Sequence, residues 1–147
     1  MIVRFADWRD DAEMLSGVRH KVFVQEQGVP EDIETDGRDA DCYHALALAD
    51  WETPVGVARM DEQGHIGRVA VLPEWRGRGV GTRLVQFLIL FATFEGIQRV
   101  EVNSQIDVCE FYQRLGFAAA GEVFEEAGIL HVPMSLNLAK IPAEAAV

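Results

Sequence analysis

The sequence predicts an α+β domain built around a mixed sheet, with elements in the order β-α-β-β-β-α-β-α-β-β. Three observations carry this expectation. The strands Tyr43–Ala49, Val55–Met60 and Ile66–Leu72 are separated by Thr53-Pro54 and Gln63-Gly64, connections that suit antiparallel neighbours. Val80–Glu95 places Val80, Leu84, Phe87, Leu88 and Phe91 at helical spacing, and Gly96 then supplies a C-terminal stop. Gln98–Asn103 follows that helix directly, so it pairs in parallel with an earlier strand or lies beside one.

The remaining elements follow in order. Ile2–Phe5 is a short opening strand, and Asp7 is the expected N-cap of the next helix, with Asp10 at the capping-box position. Leu15, Val18 and Val22 share one face of that helix, and Gly28 and Pro30 end it. An acidic loop follows, carrying Glu26, Glu31, Asp32, Glu34, Asp36, Asp39 and Asp41 against the single base Arg38. It reads either as a solvated face or as a lure for a cationic ligand through Glu34 and Asp36. Downstream, Pro73 stops the third strand of the meander, and Ile106–Leu115 is a short helix closed by Gly116. Phe117–Glu125 and Ile129–Leu138 are the last strands, turning at Ala127-Gly128, and Pro133 marks an edge or a bulge.

Composition narrows the class. The chain has 147 residues, the length of one typical domain, and is expected to form a single domain over 1–147. Its 13 Lys+Arg face 24 Asp+Glu, a formal net charge of -11, which argues against nucleic-acid partners and anionic membrane surfaces. No signal-peptide pattern opens the chain, and the longest apolar run, Phe87–Phe94, is too short to span a bilayer. Cys42 and Cys109 are isolated, which suits a reducing, cytoplasmic setting, and no His/Cys/Asp cluster has metal-ligand spacing.

One segment carries chemistry. Val69-Ala70-Val71 leads through Leu72 and Pro73 into Arg76-Gly77-Arg78-Gly79-Val80-Gly81-Thr82-Arg83, where the long helix begins. Glycines allow successive amides to turn toward one point, and the helix N-terminus adds partial positive charge. With Arg76, Arg78 and Arg83 close by, the segment reads as an anion cradle suited to a pyrophosphate. The P-loop pattern is absent, and the glycine spacing and chain position do not fit a Rossmann fingerprint.

Arg76-x-x-Gly79-x-Gly81 after a Val-Ala-Val strand resembles the acetyl-CoA signature of the GCN5-related N-acetyltransferase (GNAT) superfamily. Phe111-Tyr112-Gln113-Arg114-Leu115-Gly116-Phe117 resembles its Tyr-x-x-x-Gly-Phe element. Arg19-x-x-Val22-Phe23-Val24-x-Glu26-Gln27, together with Pro30, Glu34, Asp36, Asp39 and His44, is similar to the ElaA-like subgroup, as is Glu125–His131.

The resemblance implies a mixed central sheet of about seven strands flanked by about four helices. It also implies transfer of acetyl from acetyl-CoA to a primary amine of a small molecule or peptide, by direct attack and without a metal. A non-catalytic CoA-binding module on the same fold is the alternative. A homodimer is common for this fold. By resemblance, the amides of Arg76 through Thr82 hold the pyrophosphate, and the main chain of Val69, Ala70 and Val71 receives the pantetheine arm. Asn103 and Gln105 are further cofactor contacts, with Gln105 and Val108 standing where many family members have Asn and Ala. Tyr112 is the expected proton donor to the leaving thiolate. The base is open among Glu26, Glu101, His44, His65, His131 and a water chain, with Glu26 and His131 favoured.

Overall fold

The structure, a computed structural model, describes residues 1–139, so positions 140–147 of the expected domain lie outside the described residues. Strands β1 (Ile2–Ala6), β2 (Tyr43–Leu48), β3 (Pro54–Met60) and β4 (His65–Val71) form an antiparallel half. Strand β5 (Arg99–Gln105) joins it in parallel, followed by β8 (Ile129–Asn137) and two short strands, β6 (Ala118–Ala119) and β7 (Phe124–Glu126). The mixed sheet and the parallel step at β5 are therefore as the sequence predicts.

The sheet has eight strands rather than about seven, because the expected strand Phe117–Glu125 is split in two. Pro133 explains the split. It pairs with Asn103 of β5 on one side, and its carbonyl accepts from the Ala120 amide on the other. Since N and O of one strand residue point the same way, the missing N–H faces the gap between β6 and β7. The proline is thus neither at an edge nor in a bulge. It interrupts a ladder.

The helix α1 (Trp8–Arg19) continues as a π-helical turn, His20–Glu26. Asp7 caps it by accepting from the Arg9 amide at 2.8 Å, but the return bond to the Asp7 amide comes from Asp11, at 2.9 Å, and not from Asp10. The acidic segment is not a bare loop. It contains a single-turn helix, α2 (Glu31–Glu34), and a 3-10 turn, Asp39–Asp41. The long helix α3 (Val80–Phe94) appears where periodicity places it, and the expected short helix Ile106–Leu115 is a 3-10 turn, Ile106–Val108, followed by α4 (Cys109–Arg114).

β2 is buried on both faces, which is why its alternation is loose. Ala45 and Ala47 pack with Leu84 and Leu88 of α3, while Leu46 and Leu48 pack with Leu15 and Val18 of α1. Each fully buried leucine contributes about 1.5–3 kcal/mol relative to exposure. Gly56 lets α3 close onto β3, since a Cβ there would lie 2.9 Å from Val80 Cγ1.

Two irregularities shape the middle of the sheet. β4 and β5 pair only at His65 with Glu101 and Ile66 with Val102, and then diverge. Just beyond, β4 carries a bulge: Ala70 faces Val57 and Gly67 faces Arg59, leaving Arg68 and Val69 opposite Ala58 alone. Arg68 sits at φ 51°, a left-handed conformation that costs a non-glycine residue about 1–2 kcal/mol.

Candidate functional site

A cleft of about 870 Å³ opens where β4 and β5 part, and the N-terminus of α3 forms one wall. Gly77 and Gly79 adopt φ 73° and 80°, and Gly79 is the N-cap of α3 with no side chain closing it. Among the described residues, the amides of Gly77, Arg78, Gly79, Val80, Gly81 and Thr82 make no backbone hydrogen bond. No acidic residue occupies the first turn of α3. Orphan donors at a helix start, beside a loop of unpaired amides, form a site for a negatively charged group. Gly81 also permits a close approach, as its Cβ would lie 3.3 Å from the Phe111 ring.

The floor is the free edge of β4. The Leu72 amide donates to Val55 of β3, so alternation turns the polar groups of Val69 and Val71 away from β3 and into the divergence. The Val71 carbonyl accepts from Arg76 Nε at 3.0 Å, while the Val69 and Val71 amides face β5 beyond the point where its pairing with β4 ends. Ala70 faces the other way, paired with Val57. Across the gap, Asn103 is exposed to the cleft and Gln105 donates through Nε2 to Gln27 Oε1 at 2.9 Å.

The three arginines of the loop do not act together. Arg76 forms a two-pronged pair with Glu26, at 2.6 and 2.7 Å. Arg78 lies over the Trp75 ring at 4.8 Å, and Arg83 is exposed, 3.5 Å from the Met1 carbonyl. The cradle is therefore made of main chain rather than of guanidinium groups.

Tyr112 projects from α4 with its ring edge-on to Phe111 and Phe117. The residue is 7% exposed and borders the cleft. Burial pushes its phenol above the ordinary range, so it stays protonated at any neutral pH. His131 lies on β8, stacked on Phe124, with Nδ1 2.8 Å from the Ile129 carbonyl. A carbonyl only accepts, so Nδ1 is the donor of that bond and Nε2 is the ring nitrogen left outside it. Glu26 borders the same cleft, and the Arg76 guanidinium holds its carboxyl below the usual carboxylate range. His65 lines the far end of the cleft. Glu101 is exposed beside Arg99, and His44 is buried with Nε2 donating to the Asp39 carbonyl at 2.8 Å.

Part of the acidic segment turns inward. Glu34 and Asp39 accept from Arg19, which is 2% exposed; Asp36 and Asp39 accept from Arg59; Arg68 reaches Asp36 at 3.3 Å. Glu34 and Asp36 are thus counter-ions to arginines rather than free carboxylates, while Glu31, Asp32 and Asp41 of the same segment are exposed. Arg59, through its hydrogen bonds, holds the Asp36 carboxyl far below the ordinary range. Burial would raise Asp39, but the Arg19 and Arg59 guanidiniums outweigh it.

Comparison with known proteins decides the family. A sequence model of the acetyltransferase (GNAT) domain matches residues 11–138. The chain belongs to the GNAT family. A Bacillus subtilis relative, named provisionally as an acetyltransferase, is 37% identical over 80% of this chain and 84% of its own. Escherichia coli ElaA matches in structure with a TM-score of 0.80 and 28% identity, covering 92% of this chain and 99% of that one. An aminoglycoside 6'-N-acetyltransferase, solved in complex with coenzyme A, shares the fold at TM-score 0.77 and 16% identity, covering 97% of this chain and 99% of that one.

Within this GNAT chain, sequence reasoning missed Arg68 and Gln27. Arg68 was legible only as a charge inside an apolar strand, and Gln27 only as the end of the segment that resembles the ElaA-like subgroup.

Proposed function

We propose that the protein transfers an acetyl group from acetyl-CoA to a primary amine. The observation that carries this reading is the run of unpaired amides from Gly77 to Thr82 beside the open edge of β4. The residues fit the ligand: a pyrophosphate matches the amide run, and an amide-bearing arm matches an unpaired strand edge. When bound, acetyl-CoA supplies an activated thioester carbonyl and a thiolate leaving group.

Each residue then has a task. Gly77, Arg78, Gly79, Val80, Gly81 and Thr82 bind the phosphates through main-chain amides, whereas the Arg76 amide expected among them donates to the Pro73 carbonyl instead. Val69 and Val71 present the amides that orient the arm, with Ala70 between them, while Asn103 and Gln105 border it from β5. Tyr112 holds a proton at Oη for the departing sulfur. Burial keeps that proton on the phenol, where a departing thiolate would take it. His131 Nε2 is the assigned proton acceptor for the incoming amine, directly or through water. Glu26 is placed to hold Arg76 across the cleft mouth.

The test is acetylation of a metabolite library read by mass spectrometry, repeated with Tyr112→Phe. Transfer to an amine that is lost in Tyr112→Phe supports the reading. Tight CoA binding without transfer to any amine would instead identify a CoA-binding module.

A further inference from the structure

We propose that Arg68 is a positioning residue for the acyl donor, a role that rests on the acetyl-CoA reading above. The strand bulge decides which peptide groups face the divergence. Gly67 still pairs with Arg59, and one residue is then added, so that Ala70 rather than Val69 faces Val57. A one-residue slip reverses the direction of every group beyond it. The amides of Val69 and Val71 point into the cleft because of that extra residue.

Something must hold it there, since Arg68 is neither glycine nor asparagine and sits at φ 51°. The hold is its own side chain. Arg68 Nε lies 3.3 Å from the Glu34 carbonyl, and Nη2 lies 3.2 Å from the Ile33 carbonyl, 3.1 Å from that of Glu34 and 3.3 Å from Asp36 Oδ2. These acceptors sit on a fixed post. Glu34 is bound by buried Arg19, and Asp36 is bound by Arg59 at 2.7 and 2.9 Å. The guanidinium fork therefore ties the strained strand to the end of α2, and α2 to the body of the fold. This gives the acidic segment a use in the reaction without its touching a substrate. It keeps the β4 edge aimed.

Arg68→Gly separates the two parts of the argument, because glycine accepts the left-handed φ while removing the grip. Arg68→Lys keeps the charge but not the fork. The measurements are calorimetric affinity for CoA and for acetyl-CoA, kcat for a fixed amine, and hydrogen exchange at Val69 and Val71. In Arg68→Gly, CoA affinity is expected to fall by less than kcat does, because the amide run is untouched while the hold on the arm loosens. Misalignment is expected to lower kcat by ~10–100-fold and to speed exchange at Val69 and Val71. Arg68→Lys is expected to fall between, and it carries the test if the glycine variant does not fold. Wild-type kcat and exchange in the folded variant overturn the proposal, as does an equal loss of CoA affinity and kcat. A wild-type protein that binds neither CoA nor acetyl-CoA overturns the functional reading, and this inference with it.

Discussion

The two sides of the cleft are built from different materials. The α3 side is main chain: six amides and a strand edge, with the nearby arginine side chains pointed at Glu26, Trp75 and Met1. The α2 side is side chain: Arg19, Arg59 and Arg68 interlocked with Glu34, Asp36 and Asp39. The first leaves its donors unsatisfied, ready for a ligand. The second satisfies its charges internally. The unpaired donors therefore lie on the main-chain side, and the interlocked charge serves rigidity.

That contrast predicts which side a given substitution will damage. The largest effect on stability belongs to the charged side. Arg19→Met leaves Glu34 and Asp39 buried without their main partner, and should cost about 3–5 kcal/mol in urea unfolding. On the main-chain side, Gly79→Glu forces a side chain into φ 80° and puts a carboxylate at the positive end of α3. CoA affinity should fall by ~100-fold or more with an unchanged circular-dichroism spectrum, a difference of about 2.7 kcal/mol. Tyr112→Phe should lower kcat by ~100-fold while CoA affinity and thermal midpoint hold.

Acid should undo the charged side first. His44 is kept neutral by burial, so its folded pKa is depressed, and stability starts to fall as pH drops below the unfolded value of about 6.5. Asp36 and Asp39 are also depressed. Their contribution is complete above about pH 4 and is lost as pH falls through their folded values. Equilibrium unfolding from pH 8 to 3 should show a shallow decline and then a steep one. The smallest effect expected is from Arg83→Ala, which should leave CoA affinity within about twofold, because Arg83 reaches the Met1 carbonyl rather than the cleft. A tenfold loss would mean that the cradle is not a main-chain device.

The main-chain side was legible in the sequence and the charged side was not, for a physical reason. Glycines mark backbone geometry locally, so Gly77-x-Gly79-x-Gly81 before an apolar helix announces a loop of free amides within a few residues. Ion pairs have no local mark. Arg19 meets Glu34 across 15 positions and Arg76 meets Glu26 across 50, so the sequence displays charges without their partners. The acidic segment accordingly hid its pairing: Glu31, Asp32 and Asp41 are exposed as a solvated face would be, while Glu34, Asp36 and Asp39 are counter-ions. The bulge was hidden too, because Arg68 at positive φ violates local preference, and only the distant α2 carbonyls explain it. Pro133 was visible, but its consequence depended on which strands flank β8.

The divergence of β4 and β5 also bears on how the molecule folds. β4 and β5 are joined at only two residue pairs, yet one buried cluster spans both arms: Val100, Val102 and Met134 lie in the same core as Ile66, Leu84 and Leu88. The arms are tied by side chains where the backbone ladder is missing, so they should unfold as one unit. A molecule lying along both arms would act as the missing strand and add the backbone tie that the sheet lacks. Its signature in a melting experiment would be a later transition.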